Sequence, residues 1–269
     1  MTPLQLLQHA DDGHLWPDDA DPAGMTGWAD AYRTALAVRA LRIARGERPA
    51  GYKIGFTNRG IWQRYQVFAP IWGPVWAHTV QHCDGAGRIG LARLCQPRIE
   101  PEVVFGIAST PPPDASLEDL AASLAWAAPG FEIVQSHRPD WKFTAAETIA
   151  DGALHARLLI GTPVPLAGLG QGAQSLDQGL AASGLALELD GQVVERGQGA
   201  LVLGSPLRAL HHFLGELRRC PGAPDLNPGD VVTTGTWTDA WPVRAGQGWR
   251  ATFSGPAAAL GSISVRFDP

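Results

Sequence analysis

Charge is scarce in this sequence. Lys, Arg, Asp and Glu make up 17% of its 269 residues, below the roughly one quarter usual for a soluble domain. The basic side is the thinner one, with 21 Lys and Arg against 26 Asp and Glu and a net charge of −5. No dense Lys/Arg run occurs, which argues against nucleic acid as the main partner. The short basic stretch from Arg39 to Arg48 reads as a solvated face. Cysteine is limited to Cys83, Cys95 and Cys220, far apart and without a C-x-x-C pair. That excludes a zinc ribbon or a disulfide framework and leaves reduced thiols. No apolar run approaches the roughly 18 residues of a membrane helix, so no membrane association is expected. The opening stretch MTPLQLLQHADDGHLWPDD carries acids and no apolar segment of the kind a signal peptide needs. Together these absences lead us to expect a cytoplasmic protein.

What is abundant is glycine and proline, 32 and 22 residues, set between short β-branched runs. Residues 1–50 are expected to form a helical N-terminal region. There Thr26 offers an N-cap, Trp28, Tyr32, Ala35 and Val38 an apolar stripe, and Gly46 and Pro49 a stop. Residues 51–269 read as a β-dominated catalytic domain, with strand candidates such as RIGLARL, EPEVVFGI, GFEIVQS, ARLLIGTPV, GDVVTTGT and GSISVRF. Helical patterns interrupt them at 116–127, 148–155 and 206–220, and Asp190-Gly191 in LDGQVV predicts a tight hairpin turn. The 45% apolar content suffices for a sizeable core.

Against this background the stretch RIEPEVVF stands out. Strand alternation puts Glu100 and Glu102 on one face and Ile99, Val103 and Phe105 on the other. Glu132 sits in a similar setting, between Phe131 and Ile133. Two readings stand on pattern alone. The three carboxylates lie on solvated strand faces, or they converge and a hard divalent cation such as Mg²⁺ or Mn²⁺ removes their repulsion.

Several motifs in fixed order carry a family resemblance: GYKIGFT, QPRIEPEVVF, FEIVQSHRPDWKF, ETIAD, LGSPL, PGDVVTTGT and LGSISVRF. Over roughly 51–268 the chain resembles the hydratase/decarboxylase family of the fumarylacetoacetate hydrolase superfamily, which includes 2-oxopent-4-enoate hydratases and 2-oxo-3-hexenedioate decarboxylases. The resemblance implies an α+β fold, a mixed β-roll of the fumarylacetoacetate hydrolase C-terminal type preceded by a smaller N-terminal region. It also implies an Mg²⁺ or Mn²⁺ ion held by Glu100, Glu102 and Glu132, with Lys53 beside it as a catalytic residue. Ser205 of LGSPL, Lys142 of DWKF, Thr236 and Trp237 become candidates for substrate contact.

Departures from the family pattern bear on the reaction. Family hydratases resemble P-D-F-G where this chain has Pro70-Ile71-Trp72-Gly73, and decarboxylases resemble P-I-Y-G. Ile71 and Trp72 are therefore expected against the substrate, where they would desolvate a departing carboxylate. Arg157 stands where decarboxylases similarly place an arginine, a natural fork for a second substrate carboxylate. Decarboxylation needs mainly an electron sink, whereas hydration needs a proton-transfer group. The expected function is thus an Mg²⁺- or Mn²⁺-dependent lyase of aromatic catabolism, favoured as a 2-oxo-3-hexenedioate-type decarboxylase. The alternative is a 2-keto-4-pentenoate hydratase drawing its proton from His137 or His155. A C–C hydrolase, a keto–enol tautomerase or a catalytically weak partner subunit are further readings. The substrate would be a small 2-oxo acid. A homo-oligomer is expected, as is association with a sister hydratase or decarboxylase. His211-His212 share no helix face and are not expected to bind metal together.

Overall fold

A computed structural model describes residues 1–20 and 27–269. The Thr26 cap lies outside the described residues. Helix α1 (Pro3–Asp12) is closed by a capping box in which Thr2 and Gln5 exchange hydrogen bonds. Helix α2 (Trp28–Ala44) follows and leads into β1 (Pro49–Gly55). A single helical turn, α3 (Trp62–Tyr65), precedes β2 (Ile71–Trp76), β3 (Val80–His82), β4 (Ala86–Gly90) and β5 (Arg98–Ile107). Then come α4 (Leu117–Ala122), β6 (Leu124–Val134), α5 (Ala145–Ala150), β7 (His155–Ile160) and α6 (Gly172–Ala182). The hairpin β8 (Gly184–Leu189) and β9 (Gln192–Gln198), helix α7 (Pro206–Arg219), and strands β10 (Val231–Thr233), β11 (Trp241–Pro242), β12 (Gly248–Ser254) and β13 (Ser262–Asp268) complete the chain.

The strands form two curled sheets. One runs β2-β1-β10-β5-β6-β7-β3, with β11 added beside β5, and the other runs β4-β13-β12-β8-β9. This is the mixed β-roll expected. Asp190 and Gly191 both adopt positive φ at the β8–β9 turn, as the Asp-Gly pair predicts. In α7 the apolar stripe Leu207, Leu210, Phe213, Leu214 and Leu217 is buried throughout.

Three local expectations change. The helix expected over 116–127 stops at Ala122, because Leu124–Ala127 join β6 and pair with β5. Apolar residues there satisfy either state, and the long neighbouring strand decides. The segment 148–155 is helical only to Ala150. Ala153 and Leu154 then take left-handed φ and turn the chain into β7. Helix α6 was not apparent in its Gly- and Ser-containing sequence. It is held by the buried Leu176 and Leu180 and by Asp177, which pairs with Arg208 of α7.

The two faces of β5 meet different environments. Ile99, Val103 and Phe105 enter the principal core, which Ala31 and Tyr32 of α2 also join. Val104, on the other face, packs with Val75, Ala128, Leu158, Ile160 and Val231. That second face also carries Arg98, Glu100 and Glu102, all upstream of Val104 on the strand. Strand β5 is paired with β6 along its length, but its other edge switches from β11 at Arg98–Ile99 to β10 at Val104–Gly106. Pro101 falls in that gap, where Trp237 N donates to its carbonyl. A residue without an N–H therefore breaks no ladder bond there.

Candidate active site

The register of β5 and β6 puts Glu100 directly opposite Glu132 and Glu102 opposite Gly130. Carboxylate oxygens of all three glutamates lie within 4.8 Å of one another. Glu102 and Glu132 are fully buried, so the solvated-face reading does not describe them. Lys53 of β1 is also buried, and its Nζ lies 3.1 Å from Glu132 Oε2. Backbone geometry supports the cluster. Gly235 N donates to Glu102 Oε2 at 2.7 Å, and Gly235 has φ +100°. A Cβ there would stand 2.0 Å from Thr57 Oγ1, so the loop after β10 needs glycine to come this close.

The electrostatics are those of a site short of positive charge. Burial, and then the Glu132 carboxylate, push Glu100 up to about 7, with Lys53 opposing. Burial and both neighbouring glutamates push Glu102 well above the ordinary carboxylate range. Burial acts the same way on Glu132, but Lys53 and His155 outweigh it and hold this carboxyl below its usual value. Burial disfavours the Lys53 ammonium too, and the three carboxylates more than compensate. Among the described residues Glu102 Oε1, which is buried, has no hydrogen-bond partner. One lysine facing three carboxylates, with an orphaned oxygen among them, fits an all-oxygen site for a hard divalent cation.

His155 lies behind the cluster. Its Nδ1 is 2.8 Å from Glu132 Oε1 and its Nε2 is 2.8 Å from Thr79 Oγ1. Burial holds this imidazole below its usual pKa against the pull of Glu132. A neutral ring donating from Nδ1 fixes the orientation of Glu132.

The cluster opens through Glu100 into a cavity of about 450 Å³. Lys53, Ile71 and Thr236 line it, together with Arg98, Arg64, Tyr65, Trp141, Phe143 and Asp239. Of the residues singled out in the sequence, Lys53, Glu100, Ile71 and Thr236 therefore share one cavity, while Glu102 and Glu132 are buried beside Glu100 without lining it.

Six others stand elsewhere. Trp72 points away from Ile71 into the core, where its ring stacks on Tyr32 at 4.6 Å. Adjacent strand residues face opposite ways, so both could not meet the substrate. Trp237 is fully buried against Phe253. Ser205 caps α7, accepting from Arg208 N and donating to Asp177. Lys142 is exposed and reaches Asp140, while its neighbours Trp141 and Phe143 turn inward. His137 pairs with Asp151, and Arg157 bonds the Ala156 carbonyl; both line a second cavity with His155. The turn from Gly152 to Leu154 lies between the two cavities, with Gly152 lining the second and Ala153 and Leu154 the first.

Sequence reasoning missed Arg98. It extends from the same strand face as Glu100, two residues upstream, so the alternation that paired the glutamates also reaches it. Its guanidinium lies over the Trp141 ring at 4.2 Å.

No family model matches the chain. Curated relatives do. The chain is 31% identical over 240 residues to 2-hydroxyhexa-2,4-dienoate hydratase of Comamonas testosteroni, covering 88% of this chain and 85% of that protein. It is 30% identical over 270 residues to 4-oxalocrotonate decarboxylase of Pseudomonas putida, covering 98% and 96%. Among solved structures it superposes with TM-score 0.79 and 28% identity on 4-oxalocrotonate decarboxylase from Pseudomonas putida G7 complexed with magnesium and adipate, covering 99% of this chain and 98% of that one. Fumarylpyruvate hydrolase from Pseudomonas aeruginosa with Mn²⁺ and pyruvate shares the fold at TM-score 0.61 and 19% identity, covering 82% and 89%. The fold is thus that of the fumarylacetoacetate hydrolase superfamily. Within it, the chain belongs to the hydratase/decarboxylase family, whose named members include both 2-keto-4-pentenoate hydratases and 4-oxalocrotonate decarboxylases.

Proposed function

We propose that this protein is a divalent-cation-dependent lyase acting on an unsaturated 2-oxo acid, and that its reaction is the decarboxylation of a 2-oxo dicarboxylate such as 2-oxo-3-hexenedioate. The buried Glu100–Glu102–Glu132 cluster beside Lys53 carries this reading. These three glutamates would hold Mg²⁺ or Mn²⁺, which supplies an electron sink to a chelated 2-oxo acid. Lys53 presents its Nζ proton to negative charge developing on the 2-oxo oxygen. His155 holds Glu132 in place. Ile71 supplies an apolar wall rather than an acid.

The cavity's cations suit a second carboxylate. Arg98 and Arg64 both line it, and among the described residues neither has a carboxylate ion-pair partner. Arg98 takes the role first considered for Arg157. Among the described residues the cavity-lining carboxyls are Glu100 and Asp239, and neither histidine first considered as a proton donor for hydration lines it. That favours decarboxylation. The hydratase reading rests on relatives such as the 2-keto-4-pentenoate hydratase of Burkholderia vietnamiensis, 33% identical over 229 residues. We carry assembly as a homo-oligomer, or with a sister enzyme of the family, as a further proposal, together with a place in the catabolism of aromatic compounds.

The deciding experiment supplies the purified protein and Mg²⁺ with 2-oxo-3-hexenedioate and follows CO₂. Release of CO₂ is the expected result. Hydration of 2-hydroxypenta-2,4-dienoate without CO₂ release from the dicarboxylate would select the hydratase reading instead.

A further inference from the structure

The second cavity, of about 270 Å³, lies between the N-terminal helices and the β-roll. Its wall carries Arg39 and Arg42 of α2, Arg93, and Arg157 of β7. Its only lining carboxylates among the described residues are Asp11 and Asp151, and both are already paired. Asp11 is bound by Arg45, and Asp151 accepts from His137 through both Nδ1, at 2.5 Å, and the backbone N–H, at 3.0 Å. Arg42 is paired with Glu47 at 2.8 Å.

That leaves donors without acceptors. Arg157 Nη1 reaches the Ala156 carbonyl at 2.8 Å, and among the described residues its guanidinium has no carboxylate partner. Among the described residues Arg39 Nε and His137 Nε2 are buried with no oxygen or nitrogen partner, the His137 ring having only the Cys95 thiol beside it besides Asp151. A buried donor in this state does not recover its cost of leaving water, and here two such donors line one cavity. Burial and the nearby Arg42 charge also pull the Arg157 pKa below its ordinary value, so the arginines repel each other without an intervening anion.

We propose that this cavity binds a small oxyanion, phosphate or a compact polycarboxylate, held by Arg39, Arg42 and Arg157. Guanidinium forks match such groups bidentately. Its volume equals roughly nine waters at about 30 Å³ each, which accommodates a ligand of that size. His155 forms part of the wall, and its Nδ1 contacts Glu132. The anion therefore sits one imidazole away from the carboxylate cluster. The assignment is independent of which reaction that cluster supports.

Calorimetric titration of the metal-free protein at fixed ionic strength, with inorganic phosphate and separately with citrate, tests it. Saturable binding of at least one is expected, weakened at least tenfold by Arg157→Met and by Arg39→Met and unchanged by Glu102→Gln. The tighter of the two probes identifies the ligand as phosphate-bearing or carboxylate-bearing. Absence of binding by both, binding that survives both arginine substitutions, or binding lost in Glu102→Gln would overturn the proposal. Hydrogen–deuterium exchange on the unmodified protein needs no variant. The better-binding anion should slow exchange in 35–42 and 151–157, and unchanged exchange there at saturation also counts against the site.

Discussion

Glu100 and Glu132 stand directly opposite each other on paired antiparallel strands, two carboxylates in a cross-strand position where like charges destabilise a sheet. Glu132 is fully buried and Glu100 half-buried, which leaves little water to screen them, and the single Lys53 ammonium leaves the cluster negative. Such an arrangement persists in a folded protein where a ligand offsets its cost.

Glu102 gives the clearest test. Glu102→Gln keeps an oxygen for the Gly235 N–H but removes one of the mutually repelling charges. Metal-free stability should hold or rise, while Mg²⁺ affinity, measured by calorimetry, falls by about 100-fold or more given the loss of a charged ligand. Unchanged Mg²⁺ binding would remove the cluster from consideration as a metal site.

Mg²⁺ should also stabilise the unmodified protein. A ligand that binds only the folded state contributes RT ln(1 + [L]/Kd), about 2.7 kcal/mol at a hundredfold excess over Kd. Thermal melts across an Mg²⁺ series should show a rising Tm for the natural sequence and a flat one for Glu102→Gln.

Lys53→Met leaves three buried carboxylates without their cation. Loss of one partner of a buried ion pair costs about 3–5 kcal/mol, so the metal-free variant should unfold at lower urea concentration. Added Mg²⁺ should restore much of that stability without restoring turnover, because the Nζ proton is gone. Full activity in Lys53→Met would contradict its catalytic role.

Arg98→Met should separate the two ends of the substrate. The aliphatic stem is retained over Trp141 while the charge is lost. KM for a 2-oxo dicarboxylate is expected to rise roughly 10- to 100-fold, corresponding to the about 1.5–3 kcal/mol of a hydrogen bond to a charged group. Mg²⁺-dependent binding of oxalate, which lacks the distal carboxylate, should change little. Equal weakening of both ligands would assign Arg98 to the cluster's own electrostatics.

The His137–Asp151 pair makes stability pH-dependent. Burial disfavours the His137 imidazolium, but the Asp151 carboxylate more than reverses this and raises the group from 6.5 to about 10. The folded protein therefore holds a proton that the unfolded chain has released between those values. The stabilisation is fully present below pH 6.5 and is lost as pH rises through about 10, at no more than about 1.4 kcal/mol per pH unit from this one group. Urea melts from pH 6 to 9 should show stability declining, with a shallower decline in His137→Gln. An identical slope in that variant would show that the proton sits elsewhere.

Much of this architecture was legible from local pattern. Period-two alternation put Glu100 with Glu102, the Asp190-Gly191 pair marked its hairpin, and the spacing of Leu207, Leu210, Phe213, Leu214 and Leu217 marked α7. Helix α6 escaped notice because its stability comes from Leu176, Leu180 and the Asp177–Arg208 pair rather than from helix propensity. The 124–127 stretch was misread because apolar residues fit helix and strand alike until β5 supplies hydrogen bonds.

The sequence by itself determined which side chains share a strand face, since alternation follows from backbone geometry alone. Only the tertiary structure decided which faces meet. Register set Glu132 against Glu100, and sheet order carried Lys53 to them from β1. The left-handed turn at Ala153 and Leu154 turned the chain into β7 between the two cavities, so that Arg157 and His137 line one cavity while Ile71 and Arg98 line the other. Trp72 went to the core because its strand neighbour Ile71 faces the cavity and a pleated chain shows each successive side chain to the opposite side. Trp237 lies in the bend after β10, where Thr236 and Thr238 face the cavity and its ring packs on Phe253.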